Sequence, residues 1–239
     1  NKNKQQTRTK SVYYHKKSNM KKLKYLIVVC ILVTLTASVK AVSKNSYIES
    51  TRLYYKSAYK EIKPASEVKS WAVPFITKNR FDINTIKIIS VFGDHRDSYL
   101  KGHIHTAVDI IPSQKSGYAY VYPMANGVVC SIHLGHPHWT IVIKHQLKNG
   151  EFIFTSYKHL QEIYVKNGMQ VDQNTKIARL YTREESKKYG GSYDHLHLEI
   201  RKSFFDYGCA SWLTMNKDDL NELFYNPLAF MKTNLGIVK

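Results

Sequence analysis

Two short segments carry the residue types that could bind an ion and activate water. His105-Thr-Ala-Val-Asp109 places an imidazole and a carboxylate four residues apart, and His195-Leu-His197-Leu-Glu199-Ile places two imidazoles two apart, followed by a carboxylate. The chain has 3 cysteines and no CxxC spacing, so a metal here must be held through histidine and carboxylate. A catalytic zinc needs three such protein ligands and one open position for water, whose pKa then falls to about 7. His105, Asp109, His195 and His197 together supply more than that number.

A spacing of four suits one face of a helix or one face of a strand, and the neighbours favour the strand. Ile104, Thr106, Val108 and Ile110 alternate with His105, Ala107 and Asp109, which sends the first set to a core and the second to a shared face. Ala107 between the two ligand candidates leaves room for an ion. His103 also stands an even number of residues from Asp109 and remains a rival to His105. In the second segment Leu196, Leu198 and Ile200 take the core side, leaving His195, His197 and Glu199 together.

Other stretches rich in β-branched and aromatic residues, bounded by Gly, Pro, Asn and Ser, predict strands over 86–92, 106–111, 127–133, 139–145, 152–159 and 195–201. Leu220, Leu223 and Phe224 give 217–224 a helical spacing. The expected fold class is mainly β, an antiparallel β-sandwich or barrel-like domain with short N- and C-terminal helical extensions. The expected organisation is a basic extension or upstream translation (1–19), a signal peptide (20–41), a helical or irregular lead-in (42–85), a catalytic domain (86–201) and a C-terminal extension (202–239).

The chain resembles the lysostaphin/LytM-type zinc peptidoglycan endopeptidases, which have the duplicated hybrid motif fold. The resemblance rests on His105 to Asp109, on Tyr157-Lys-His159-Leu160 and on His195 to Ile200, in the family's order. Ser90-Val-Phe92-Gly93 with Arg96, Val121-Tyr-Pro, Ile141 to His145, Val165-Lys-Asn-Gly168 and Asn226-Pro227-Leu228 agree with it. It implies that His105, Asp109 and His197 bind one Zn2+, while His159 and His195 flank the bound water, one taking its proton and the other donating to the developing oxyanion. It also implies that Tyr99 is a further donor to the tetrahedral intermediate. Ala107, Asn174 and Ala178 stand where the family has glycine, the loop 182–193 departs from the family's glycine- and serine-rich one, and residues 202–225 exceed what the family needs. Of the other histidines, His145 reads as a core position, and His133, His136 and His138 surround a Gly-Pro loop.

The formal charge of +18 does not point to nucleic acid, because 10 of the 36 Lys and Arg lie in residues 1–41, where there is no Asp or Glu. The remainder is basic enough to suit an anionic cell wall, and no run alternates basic with aromatic residues. From the first methionine, Met20-Lys-Lys-Leu-Lys, an apolar stretch over 25–39 and Val39-Lys40-Ala41 read as a secretory signal peptide. Left uncleaved, the leader would tie the protein to the membrane. Export places it in the periplasm, cell envelope or extracellular space, where Cys130 and Cys209 can pair.

The expected function is therefore that of an exported zinc metalloendopeptidase acting on peptidoglycan stem peptides. Arg183, Lys187 and Lys188 in the loop before the last strand favour the carboxylate-bearing D-alanyl to diamino-acid cross-link, with Glu184 and Glu185 opposing them. The alternatives are a non-catalytic activator of a wall amidase and a wall-binding module. All five positions implied by the resemblance are filled, which counts against the first, and the clustered histidines count against the second.

Overall fold

A computed structural model describes residues 22–34, 36, 46–51, 53, 59–113, 117–204, 211–214 and 216–236. Within residues 1–50, positions 22–34 and 46–50 are helical, and among the described residues no helix is long and apolar enough to cross a membrane. Residues 51–239 form a separate unit that holds the sheets.

Among its described residues that unit contains thirteen strands: β1 (Ile86–Ser90), β2 (His95–Arg96), β3 (His103–Ile104), β4 (Val108–Pro112), β5 (Tyr120–Val121), β6 (Gly127–His133), β7 (Thr140–Gln146), β8 (Phe152–Lys158), β9 (Leu160–Ile163), β10 (Gln170–Val171), β11 (Ala178–Leu180), β12 (Leu196–Arg201) and β13 (Phe224–Tyr225). The short helices α1 (Arg183–Lys187), α2 (Lys217–Leu223) and α3 (Pro227–Asn234) accompany them. The large sheet runs β1-β4-β12-β8-β7-β6-β10 with β13 also on β12, and β5-β11-β9 makes a second sheet. Every pairing between these strands is antiparallel. The class is thus mainly β and antiparallel, as the sequence predicts, with open sheets and no closed barrel among the described residues.

Period-two alternation decides what each face of the large sheet holds. Ile141 and Ile143, Ile153 and Tyr157, and Leu196, Leu198 and Ile200 share one core with Val121, Leu160, Ala178 and Leu180 of the second sheet. Burying each such aliphatic side chain contributes about 1.5–3 kcal/mol, so this is the face that stabilises the domain. The lead-in belongs to the same core: Val68, Trp71, Val73 and Phe75 are buried in it. The opposite face carries a smaller apolar cluster of Cys130, Val142 and Phe154, another of Ile104, Leu220 and Phe224, and a set of buried polar side chains. Cys130 is a buried thiol lying 3.4 Å from the Val142 carbonyl. Its expected partner Cys209 lies outside the described residues, as do residues 1–19 and the cleavage site near Ala41.

One expected strand is interrupted. Residues 105–107 leave the ladder between β3 and β4, because the His105 backbone is committed elsewhere: its N–H donates to the Asp94 carbonyl and its C=O accepts from the Gly93 N–H, both at 2.8 Å. Thr106, predicted for the core, instead turns its hydroxyl to Glu199 at 2.6 Å. The helix predicted over 217–224 is α2, capped by the Asn216 side chain, which accepts from the Asp219 N–H.

Candidate metal centre and cleft

Antiparallel register brings the two sequence segments together. β4 and β12 pair with His197 directly opposite Asp109, and β12 pairs with β8 with His197 opposite Lys158. His105 arrives from the interrupted segment, and its Nε2 lies 3.1 Å from Asp109 Oδ1 and 3.2 Å from His197 Nδ1. The third side of this triangle, His197 Nδ1 to Asp109 Oδ1, is 3.2 Å. All three residues are buried, and they form the group whose ligand atoms can hold a metal ion among the described residues. His103 turns its Nδ1 to the Leu100 carbonyl at 2.9 Å and is not one of the three.

The chemistry of these atoms fits a cation. His105 Nδ1 is 2.7 Å from the Val91 carbonyl, which can only accept, so the proton sits there and Nε2 presents its lone pair to the triangle. His197 Nε2 lies 3.0 Å from Glu199 Oε1, so the same reasoning turns the Nδ1 lone pair inward. Two lone pairs and a carboxylate oxygen therefore face one another at 3.1–3.2 Å. Tetrahedral bonds of about 2.0–2.1 Å to nitrogen and oxygen set ligand atoms about 3.3–3.4 Å apart, so the triangle has the dimensions that a zinc ion requires.

A buried polar network holds this arrangement. Glu199 accepts from Thr106 at 2.6 Å and from Arg201 Nε at 2.7 Å, and both Glu199 and Arg201 are fully buried. Burial alone would raise the Glu199 carboxyl, but Arg201, His197 and Lys158 hold it well below the usual carboxylate range. Burial likewise opposes ionisation of Asp109, and the surrounding imidazoles of His105, His195 and His197 outweigh it, so this carboxyl too sits far below its ordinary value. Arg96 approaches the other Asp109 oxygen at 3.7 Å. Such partners fix tautomer and orientation in metal sites.

His159 and His195 stand beside the triangle. His195 Nε2 is 3.5 Å from Asp109 Oδ1, and the His159 ring lies 5.0 Å from the His195 ring and 5.7 Å from the His197 ring. On β8 the alternation sends Tyr157 to the core and Lys158 to the polar face, so a continued strand would turn His159 back towards the core. Its left-handed backbone, φ 69°, swings it into the cleft instead, with Nδ1 2.9 Å from the Pro137 carbonyl. Burial, reinforced by His195 and His197, holds His159 well below its ordinary value. Among the described residues Tyr99 is the other non-glycine residue with positive φ, 63°, and it also lines the cleft. Non-glycine residues in this region cost energy and gather at functional sites.

Four cleft features go beyond the sequence reading. Glu199 was legible as a neighbour of His197 on one face, but its role as the hub for Thr106 and Arg201 was not. His138 lines the cleft, where burial and then Lys158, His133 and His197 push it down to about 3. Trp212, buried in the C-terminal extension, and Tyr193 complete the wall. The loop before β12 folds as α1, closed by a capping box in which Thr182 and Glu185 satisfy each other's backbone N–H; the Thr-x-x-Glu spacing announces it.

Residues 103–210 match the model of peptidase family M23. That match agrees with the resemblance carried by His105 to Asp109, Tyr157 to Leu160 and His195 to Ile200. No curated protein matches it. Among solved structures, it is similar to a zinc-containing peptidase from Vibrio cholerae at 24% identity, over 56% of this chain and 37% of that one, with a TM-score of 0.40. It is similar to the antimicrobial peptidase lysostaphin from Staphylococcus simulans at 17% identity, over 70% and 56%, with a TM-score of 0.46. A SpoIIIAH and SpoIIQ complex matches at 19% identity, over 67% and 99%, with a TM-score of 0.40. The chain thus spans little more than a third of the Vibrio peptidase and just over half of the lysostaphin chain.

Proposed function

We propose that this protein is an exported, zinc-dependent endopeptidase that hydrolyses peptide cross-links of bacterial peptidoglycan at the bond between D-alanine and a diamino acid. The observation that carries the reading is the triangle of His105 Nε2, Asp109 Oδ1 and His197 Nδ1, with sides of 3.1–3.2 Å and both imidazole lone pairs turned inward. Zinc held there supplies a Lewis acid and an activated water. His105, Asp109 and His197 are its ligands. His159 offers its Nε2, since Nδ1 donates to Pro137, and His195 stands beside it with its Nε2 towards Asp109; one takes the proton from water and the other hydrogen-bonds to the oxyanion. Tyr99 is a further oxyanion donor.

The leader over 20–41 supports export, and the family type supports a peptidoglycan substrate. The choice of bond follows the charges of the loop before β12. Glu185 is committed to Arg179 at 2.8 Å and Arg183 to Asp194 at 2.9 Å, while Lys187 and Lys188 are exposed on the loop together with Glu184. The charge of the two lysines favours a stem peptide that bears free carboxylates. Digesting purified sacculi and weighing the released muropeptides tests this: loss of D-alanyl cross-linked dimers is expected. Intact dimers beside rapid cleavage of pentaglycine would contradict the assigned bond.

A further inference from the structure

Tyr99, Tyr193 and Trp212 reach the cleft from three separate segments: the turn between β2 and β3, the loop before β12, and the single 3₁₀ turn Ser211–Leu213 of the C-terminal extension. The last two are the parts of the chain that depart from the family resemblance. The Tyr99 ring stacks on Trp212 with centroids 4.9 Å apart and planes at 27°, and its hydroxyl lies 2.8 Å from that of Tyr193. Tyr99 is 46% exposed on a left-handed backbone, and its ring also meets that of His138 edge-on with centroids 5.1 Å apart.

Both partners are themselves anchored. The Tyr193 N–H donates to the buried Ser186 hydroxyl at 2.5 Å, and its ring covers Gly191 so closely that a Cβ there would come within 2.5 Å of Tyr193 Cε2. Trp212 is 5% exposed, between Ser211, whose hydroxyl accepts from Lys158 Nζ at 2.8 Å, and Thr214, whose carbonyl accepts from the Ile104 N–H at 2.9 Å. The segment that carries Trp212 is therefore tied to β3 and β8, the same strands that lead to His105 and His159, and Lys158 Nζ lies 5.4 Å from the Trp212 ring centroid.

We propose that Tyr193 and Trp212 are positioning residues that fix the Tyr99 hydroxyl at the cleft edge, acting on turnover through Tyr99 and not on substrate binding. This rests on the peptidase reading above. When Tyr193 donates to the Tyr99 oxygen, Tyr99 keeps its own proton for the substrate, and the Trp212 ring sets the plane from which it is offered. A small displacement of a reacting group costs rate without costing affinity.

The test is a kinetic cycle on a purified cross-linked muropeptide dimer. Tyr99→Phe is expected to lower kcat by about 10²- to 10³-fold, and Tyr193→Phe by about three- to tenfold, with KM, zinc content and thermal midpoint unchanged. The double variant is expected to match Tyr99→Phe alone, since nothing is left to position. Trp212→Leu should lower kcat and Trp212→Phe should recover most of it, while Gly191→Ala, which displaces the Tyr193 ring without removing it, should mimic Tyr193→Phe. Wild-type kcat in Tyr99→Phe or Tyr193→Phe, or additive losses in the double variant, would overturn the proposal while leaving the peptidase reading intact. A wild-type protein that leaves every cross-link uncut would overturn both.

Discussion

The two faces of β12 are about equally buried and are built in opposite ways. Leu196, Leu198 and Ile200 are fully buried on one face in an apolar core that asks only for volume and shape. His197, Glu199 and Arg201, 8%, 0% and 0% exposed on the other, have removed an imidazole, a carboxylate and a guanidinium from water. Such burial is tolerated only where each group finds a partner, and here each does: Arg201 on Glu199, Glu199 on His197 and Thr106, His197 facing His105 and Asp109. The first face stabilises the domain, and the second uses that stability to hold the three atoms proposed as metal ligands together.

Breaking the polar face at its centre should have the largest effect. His105→Ala, Asp109→Ala and His197→Ala should each lose zinc and activity together, read by metal analysis and muropeptide release; full activity in any of them would mean a wrong ligand set. Next come His159→Ala and His195→Ala, which should retain zinc and lose about 10² to 10⁴ in turnover. Loss of metal from either would make it a ligand.

Adjacent residues on opposite faces sharpen the contrast. Leu198→Ala should cost about 2–5 kcal/mol in denaturant unfolding and leave the zinc affinity of the folded protein unchanged. Glu199→Gln should weaken zinc binding or activity about 10- to 100-fold in competition with a chelator. Reversed outcomes would mean that the two faces do not divide stability from ligation.

The last effect concerns a polar residue on the apolar face. His145, with Nδ1 2.8 Å from the Asn126 carbonyl and Nε2 2.8 Å from Thr155 Oγ1, is held by burial down to about 4 from an ordinary 6.5. A depressed histidine stays neutral when folded but takes up a proton when unfolded, so its contribution is present above pH 6.5 and is lost as pH falls towards 4. The loss should approach about 3 kcal/mol at the lower end and be partial at pH 5. Urea midpoints at pH 7 and pH 5 for the wild type and His145→Gln would measure it, with the variant expected to lose less on acidification.

Much of this was legible in the residues. Period-two alternation placed His197 and Glu199 opposite Leu196 and Leu198, and the strands over 127–133 and 152–158 follow from their β-branched and aromatic content. Where the backbone leaves its regular path the reading failed. Alternation points Thr106 to the core, but it does not hold through a segment whose hydrogen bonds go to residues 93 and 94. Composition extends the strand to His159, whose φ of 69° ends it. Val68, Trp71, Val73 and Phe75 read as a lead-in, because no periodic pattern marks an irregular segment that packs into a core. Trp212 carried no signal at all, since its place in the cleft depends on a tertiary contact some fifty residues from β8.

The most direct test of the account is the zinc content of the purified wild-type protein, measured before and after dialysis against a chelator and again after zinc is returned, with cleavage of isolated sacculi followed at each stage. The account predicts one zinc per chain, loss of metal and cleavage together, and recovery of both. Undiminished cleavage by protein that has been shown to contain no metal would contradict it.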